Sequence, residues 1–206
     1  MYTPRLFAVE ERAAIARLMH DHPFATLVTQ GDGEPHVSHL PLLFVADREP
    51  HGTLLGHMAR ANPHWEHARS APSLAIFRGP HAYVSPSWYA EPAKAVPTWN
   101  YTAVHACGVL EIVEDAVDAR RILDALVQRF EAHRDAPWQF AMSGRERDAL
   151  VGAIVAFRMP IRNLAAKFKL SQNRPPHDRV RVADALDREG YADATAVAQW
   201  MRDYSQ

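Results

Sequence analysis

The chain opens on an amphipathic stretch. Residues 9–20, VEERAAIARLMH, carry Ile15, Leu18 and Met19 at helical spacing, which predicts a helix with one apolar face. The period then changes. Residues 23–30 (PFATLVTQ) read as a strand, GDGE follows as a hairpin turn, and residues 36–46 (HVSHLPLLFVA) return as a second strand. Pro41 interrupts that strand and points to an edge or a bulge. Residues 53–58 read as a third strand and 62–69 as a short helix. Residues 73–78 and 81–85 read as two strands divided by Gly79-Pro80, and 103–114 as a long strand containing Gly108. Short strands with turn signals at close intervals predict a small β-barrel.

The second half has a different pattern. Residues 115–133 form an amphipathic helix whose stripe is Ile122, Leu123, Leu126, Val127 and Phe130. Ser143-Gly144-Arg145-Glu146 has the form of a capping box and opens another short helix. Residues 152–159 read as a buried strand, 160–170 as a helix started by Pro160, and 193–204 as a C-terminal helix capped by Asp193. No internal repeat, low-complexity tract or linker divides the chain. The expected architecture is one α+β domain over residues 1–206, with a β-barrel core, peripheral helices and a helical extension at about 179–206.

Composition narrows the function. The net charge is −1, so no global positive field marks a nucleic-acid binder, although a dimer can carry a local basic patch. Asp184, Asp187, Glu189 and Asp193 make the C-terminal helices too acidic to lie on a phosphate backbone. The single cysteine, Cys107, excludes an intramolecular disulfide and fits a reducing compartment. The first residues, MYTPRLFAVEERAAIA, lack the form of a signal peptide. No stretch reaches the roughly 20 apolar residues of a membrane span. These features read as a cytoplasmic protein with no membrane partner.

Three groups of residues carry candidate chemistry. In GHMARANPHW, Arg60 lies two residues before Asn62-Pro63, a pairing suited to a helix start. A helix N-terminus and a guanidinium together suit a phosphate, although Asn-Pro can be a plain cap and Arg60 a solvated arginine. In VPTWNY, Trp99 and Tyr101 flank Asn100, offering stacking surface and an amide to a flat ring, or a core aromatic pair at a turn. In KFKLSQNR, Lys169, Ser171, Gln172 and Asn173 form a dense polar run that can meet a phosphate or a ring edge, or simply solvate a helix end.

The chain has 12 histidines, but they lack a metal signature. His36 and His39 fall in a predicted strand, where positions three apart face opposite ways. His64 and His67 share the short helix without an accompanying HExxH pattern. Cys107 lies in an apolar strand and reads as a packed thiol. No P-loop, GxGxxG or GxSxG motif is present.

In order, GHMARANPHW, FRGPHAYVSPSWY, VPTWNYTAVHACG and AKFKLSQNR resemble the PaiB-type FMN-binding negative transcriptional regulators. The resemblance spans nearly the whole chain, from MYTPRLF to the helix near Tyr204. It implies a split β-barrel of the kind found in pyridoxamine-phosphate oxidases, and a homodimer with FMN near the interface. It implies that Arg60 and Asn62 hold the phosphate, and that Ser38, His39 and Leu40 lie along the isoalloxazine. It also implies that Trp99 and Asn100 wall or hydrogen-bond the ring, with Lys169 and Gln172 reaching the cofactor from one chain or the other. His57 and Met58, in the strand before Arg60, complete the expected cofactor set. The other functions consistent with such a barrel are an FMN-dependent oxidoreductase and a haem- or metal-binding protein.

Overall fold

The computed structural model describes residues 1–31, 33–46, 50–140 and 144–204. Among them the order is β1 (Ala8–Val9), α1 (Arg12–Asp21), β2 (Phe24–Thr29), β3 (His36–Pro41), β4 (Leu43–Val45) and β5 (Thr53–Ala59). Then follow α2 (His64–Ala68), β6 (Ser73–Val84), β7 (Thr98–Gly108), β8 (Glu111–Val113) and α3 (Ala116–Glu131). The chain ends with α4 (Gly144–Gly152), β9 (Ile154–Lys169), α5 (Pro176–Glu189) and α6 (Ala192–Asp203). No described helix is long and apolar enough to cross a membrane.

The strand order is β3-β2-β6-β7-β9-β5-β4, with β1 and β8 each paired to β9. Its two ends, β3 and β4, are consecutive in the chain and separated only by Leu42. Laid flat, strands six places apart would stand ~29 Å from each other at ~4.8 Å per neighbour. A one-residue link spans only ~7 Å. The sheet therefore curls back on itself, as a split β-barrel. Pro41, with no N–H to donate, ends β3, and buried Leu42 turns the corner by donating its N–H to the Pro23 carbonyl. The single strand expected over 36–46 is thus two strands at opposite ends of the order.

Three other expectations change. Gly79-Pro80 does not divide two strands: β6 runs through it. Burial falls on odd positions up to Gly79 and on even positions from Pro80 to Val84, so the strand changes face there without ending. Gly79 is required by close approach, since a Cβ would lie 2.2 Å from Thr102 Oγ1. β7 begins at Thr98, five residues before its expected start at Ala103, which moves Trp99 and Asn100 from a turn onto a strand. Residues 160–170 are not a helix but the second half of β9. The LAAKF composition favours a helix locally, but β5 pairs with β9 as far as Pro160, and β1 pairs with Ala166 and Lys167. Tertiary ladder pairing overrides the propensity.

At the helix ends, Asp115 caps α3 by accepting from the Val117 and Asp118 N–H groups. Asp193 does not cap α6: Tyr191 holds that position without a side-chain bond, and Asp193 lies in the first turn. α5 ends on Gly190 at φ +71°, the left-handed conformation glycine adopts at helix ends. Ser143 of the expected capping box and Asp32 of the GDGE turn lie outside the described residues.

The chain forms two compact units. One comprises residues 1–22, 78–104 and 165–206. In it Phe168 packs edge-on against Trp200 and Tyr204 at 5.0 and 5.1 Å, and the Arg17 guanidinium lies 4.5 Å over the Trp200 ring. The other comprises residues 23–77 and 105–164. There Ala119, Ile122 and Leu126 of α3 pack on Ala156 of β9, with Leu43, Leu55 and Val113 around them. Burying each such leucine or isoleucine contributes about 1.5–3 kcal/mol.

Candidate functional site

The expected cofactor residues fall into both units. In the second, strand alternation separates consecutive residues of β3. Ser38 and Leu40 are buried, while His39 faces outward, bonded to Thr26 Oγ1 at 3.1 Å and stacked with Phe24. The three therefore do not share a face. On β5, Met58 is core and His57 points the other way. His57 pairs in register with Ala156, and its Nδ1 is buried without a hydrogen-bond partner. Burial pushes the His57 pKa below the ordinary histidine value, so the neutral imidazole is favoured.

Arg60 follows β5. Its Nε donates to the Gly152 carbonyl at 2.7 Å and a terminal nitrogen donates to the Ile154 carbonyl at 2.9 Å. The guanidinium thus fastens the end of α4 to the start of β9. Beside it lies a groove of about 530 Å³ bordered by Arg60, Trp65, Arg69, Leu110 and Glu114. The helix after it begins at His64, two residues later than expected, and spans five residues. Asn62 still acts as its cap, because its Oδ1 accepts the His64 N–H at 3.1 Å. Its Nδ2 donates to Ser38 Oγ at 3.0 Å.

In the first unit, Asn100 is fully buried, and its Nδ2 donates to Ser171 Oγ at 2.9 Å. Gln172 closes a turn: its Oε1 accepts the Leu170 N–H at 2.7 Å and its Nε2 donates to the Phe168 carbonyl at 2.6 Å. Both amides are satisfied by their own unit. Ser171 between them takes φ +66°, rare for a residue with a side chain. Lys169 Nζ donates to Thr98 Oγ1 and to the Trp99 carbonyl, each at 2.6 Å. Burial lowers its pKa, and the nearby Lys167 and Arg174 charges lower it further. Trp99 is 52% exposed.

One polar network was not anticipated. Asn62 donates to Ser38 Oγ, which lies 2.8 Å from His64 Nδ1. His64 Nε2 lies 2.8 Å from Thr29 Oγ1, which lies 2.6 Å from Ser73 Oγ. With Ser38 Oγ accepting from Asn62, one consistent arrangement has its O–H donating to Nδ1 while Nε2–H donates to Thr29. The proton then sits on Nε2 and the ring is neutral. Burial lowers the His64 pKa in the same sense, as do His36 and His67 nearby. The His36 ring stacks on His67 at 3.9 Å, face to face rather than converging on a point. The network links β2, β3, β6 and the entrance to α2, so only buried polar positions inside otherwise apolar strands could have signalled it.

Comparison with known proteins gives this geometry a lineage. Residues 1–163 match the family described as "Putative FMN-binding domain". Over 206 residues the chain is 35% identical to "Protease synthase and sporulation protein PAI 2" of Bacillus subtilis (strain 168), covering 98% of this chain and 97% of that protein. Among solved structures, the FAD and heme binding protein from Mycobacterium smegmatis superposes with a TM-score of 0.64 at 20% identity, over 84% of this chain and 78% of that one. The flavocytochrome Anf3 from Azotobacter vinelandii gives 0.67 at 13% identity, over 86% and 77%. At such identities the two structures bear on the fold alone, and they share the curled sheet described above. The cofactor question turns on whether the barrel offers flavin an unmet need, and His57 Nδ1, buried and unpartnered, is one. With the family match over most of its length, the chain is a member of this FMN-binding family, a split-barrel protein whose cofactor is FMN.

Proposed function

We propose that this protein is a negative regulator of gene expression of the PaiB type, and that bound FMN sets its active state. The observation that carries the reading is the end-to-end relationship to the Bacillus subtilis protein, whose name ties it to protease synthesis and sporulation. Within the barrel, His57 meets the edge of the flavin ring through its unpartnered Nδ1. Arg60, with Arg69 across the adjoining groove, supplies positive charge for the phosphate. FMN, when bound, brings reversible electron transfer; the protein supplies orientation and exclusion of water. The protein acts as a homodimer. Phe24 and Val37, 69% and 53% exposed on the β2–β3 hairpin, leave an apolar surface at one end of the strand order for the second copy. Cytoplasmic residence follows from that role.

The test begins with the visible spectrum of protein saturated with FMN and freed of excess by gel filtration. Retained flavin bands, weakened in His57→Ala, support the cofactor assignment. A gel shift with the DNA upstream of the protein's own gene, repeated with oxidised flavin, reduced flavin and flavin-free protein, tests regulation. Flavin-dependent retardation supports it. Rapid bleaching by NADH or NADPH with steady turnover, and no DNA retention in any state, would replace the regulator with an oxidoreductase.

A further inference from the structure

α3 carries a flank that the core does not take up. Ile122 and Leu126 are buried, whereas Val127 beside them is only half-buried. Past the end of α3 the chain returns along it as APWQF, residues 136–140. Glu131 fastens that return: its Oε2 accepts the Trp138 N–H at 3.0 Å and stands 3.1 Å from Arg134 Nε. Between α3 and the returning segment lies a cleft of about 490 Å³. It belongs wholly to the unit of residues 23–77 and 105–164, and it shares no residue with those named for flavin.

The chemistry of the cleft is one-sided. Asp124 and Glu131 line it from α3, seven residues and so about two turns apart, ~10 Å along the axis, with Val127 between them. Trp138 and Phe140 wall the other side. Their rings lie 4.7 Å apart at 66°, a corner and not a stack, and Trp138 is 50% exposed. Among the described residues that line the cleft, two are carboxylates and none is a lysine, arginine or histidine. The arginines that meet the two acids do so from outside the lining. Arg147 of α4 donates to Asp124 Oδ1 at 2.6 Å, and Arg134 pairs with Glu131. The side chains of Asp124 and Arg134 are 52% and 58% exposed, and ion pairs so open to water are weak. Arg147 also shows what these rings accept, since its guanidinium lies 5.1 Å over the Phe140 ring. Two aromatic walls and two carboxylates, with no cation among them, are the groups that recognise an alkylammonium ion.

We propose that this cleft binds an organic cation, its quaternary or protonated ammonium head against Trp138 between the Asp124 and Glu131 carboxylates, and its hydrocarbon part over Val127. A metal ion would gain the carboxylates without the rings. A neutral apolar molecule would gain the rings without the carboxylates. Only a cation with a hydrocarbon surface uses both.

The probes are choline and the larger benzyltrimethylammonium, titrated into FMN-saturated protein, with 3,3-dimethylbutan-1-ol as the uncharged isostere of choline. Binding is followed through the indole N–H signals in a ¹H–¹⁵N spectrum. The chain has five tryptophans, and Trp138→Phe identifies the Trp138 signal by its loss. Both cations shift that signal saturably, the isostere binds at least about fivefold more weakly than choline, and added salt weakens the cations. Equilibrium dialysis with labelled choline gives the affinities of variants. Trp138→Ala and Glu131→Gln each weaken choline at least about fivefold, on the scale of losing one cation–π contact or one charge. Glutamine keeps an oxygen for the Trp138 N–H, and Trp138 is half-exposed, so both variants keep the fold, which circular dichroism verifies. Absence of binding by both cations overturns the proposal. So does equal binding of the isostere, which would make the cleft merely apolar, and so does choline affinity unchanged in Trp138→Ala. Failure of the wild type to retain FMN defeats the flavin reading separately, and the choline titration remains interpretable on that protein.

Discussion

Replacing His64 with alanine tests whether the buried network of Asn62, Ser38, His64, Thr29 and Ser73 acts as one unit. In the native protein His64 is 2% exposed and bridges Ser38 Oγ and Thr29 Oγ1, each at 2.8 Å. Alanine removes both contacts and leaves Ser38 Oγ with only the Asn62 amide and Thr29 Oγ1 with only Ser73, in positions 9% and 0% exposed. A buried polar group left short of a partner costs up to about 1–3 kcal/mol, so the pair costs at most roughly 2–6 kcal/mol, less what a water entering the vacated space recovers. At about 2–4 °C per kcal/mol for a chain of this size, a net loss near 3 kcal/mol lowers Tm by about 6–12 °C. The assay is thermal unfolding by circular dichroism at pH 7.5, with Thr29→Val and the Thr29→Val/His64→Ala pair alongside. His64→Ala and Thr29→Val each break the same His64–Thr29 contact, which the sum of the singles counts twice, so the double variant is more stable than that sum by about 1 kcal/mol. A loss below about 1 kcal/mol in His64→Ala, or strictly additive losses, would refute the cooperative reading.

The pH dependence has a definite sign. Burial holds His22, His57, His64 and His105 below the ordinary histidine pKa of 6.5 in the folded chain. The unfolded chain therefore binds more protons as pH falls through 6.5 toward the lowered folded values, and stability present above 6.5 is lost in that window. Tm measured at pH 7.5 and 5.5 should fall on acidification; an unchanged or higher value at pH 5.5 contradicts the shared direction. Asp115→Ala removes the acceptor for two N–H groups at the start of α3 and should cost about 1 kcal/mol, read as a shift in the urea midpoint with unchanged slope. Thr53→Val should stabilise by up to about 1 kcal/mol, because Thr53 Oγ1 is buried without a partner and valine has nearly its shape. A destabilised Thr53→Val protein would mean that the hydroxyl is hydrogen-bonded to a buried water.

What the sequence disclosed depended on how local each constraint was. The apolar stripe of α3 was legible because one face of a helix is written at spacing three and four, and Ile122 and Leu126 are buried as that pattern requires. β2 and β3 were legible for the same reason, with alternation and an intervening turn. The second half of β9 was not, because what makes it a strand is its pairing with β1, some 158 residues earlier in the chain at Ala8 and Ala166–Lys167. Gly79-Pro80 carried a true signal with the wrong meaning: a break in local pattern, which the structure resolves as a change of face within one strand. The same change of face turns Tyr83 outward beside Trp99. For the site, residue types were easier to find than their employment. Asn62 was picked out as a cap and is one, but Asn100 and Gln172 looked like ligand donors and are occupied within their own unit. A dense polar run in sequence cannot distinguish an amide aimed at a ligand from one that closes its own turn. That difference lies in which polar groups are left over after folding: on β5 it leaves His57 Nδ1, in a residue the resemblance had named, buried with its hydrogen bond unmade, as it also leaves Thr53 Oγ1.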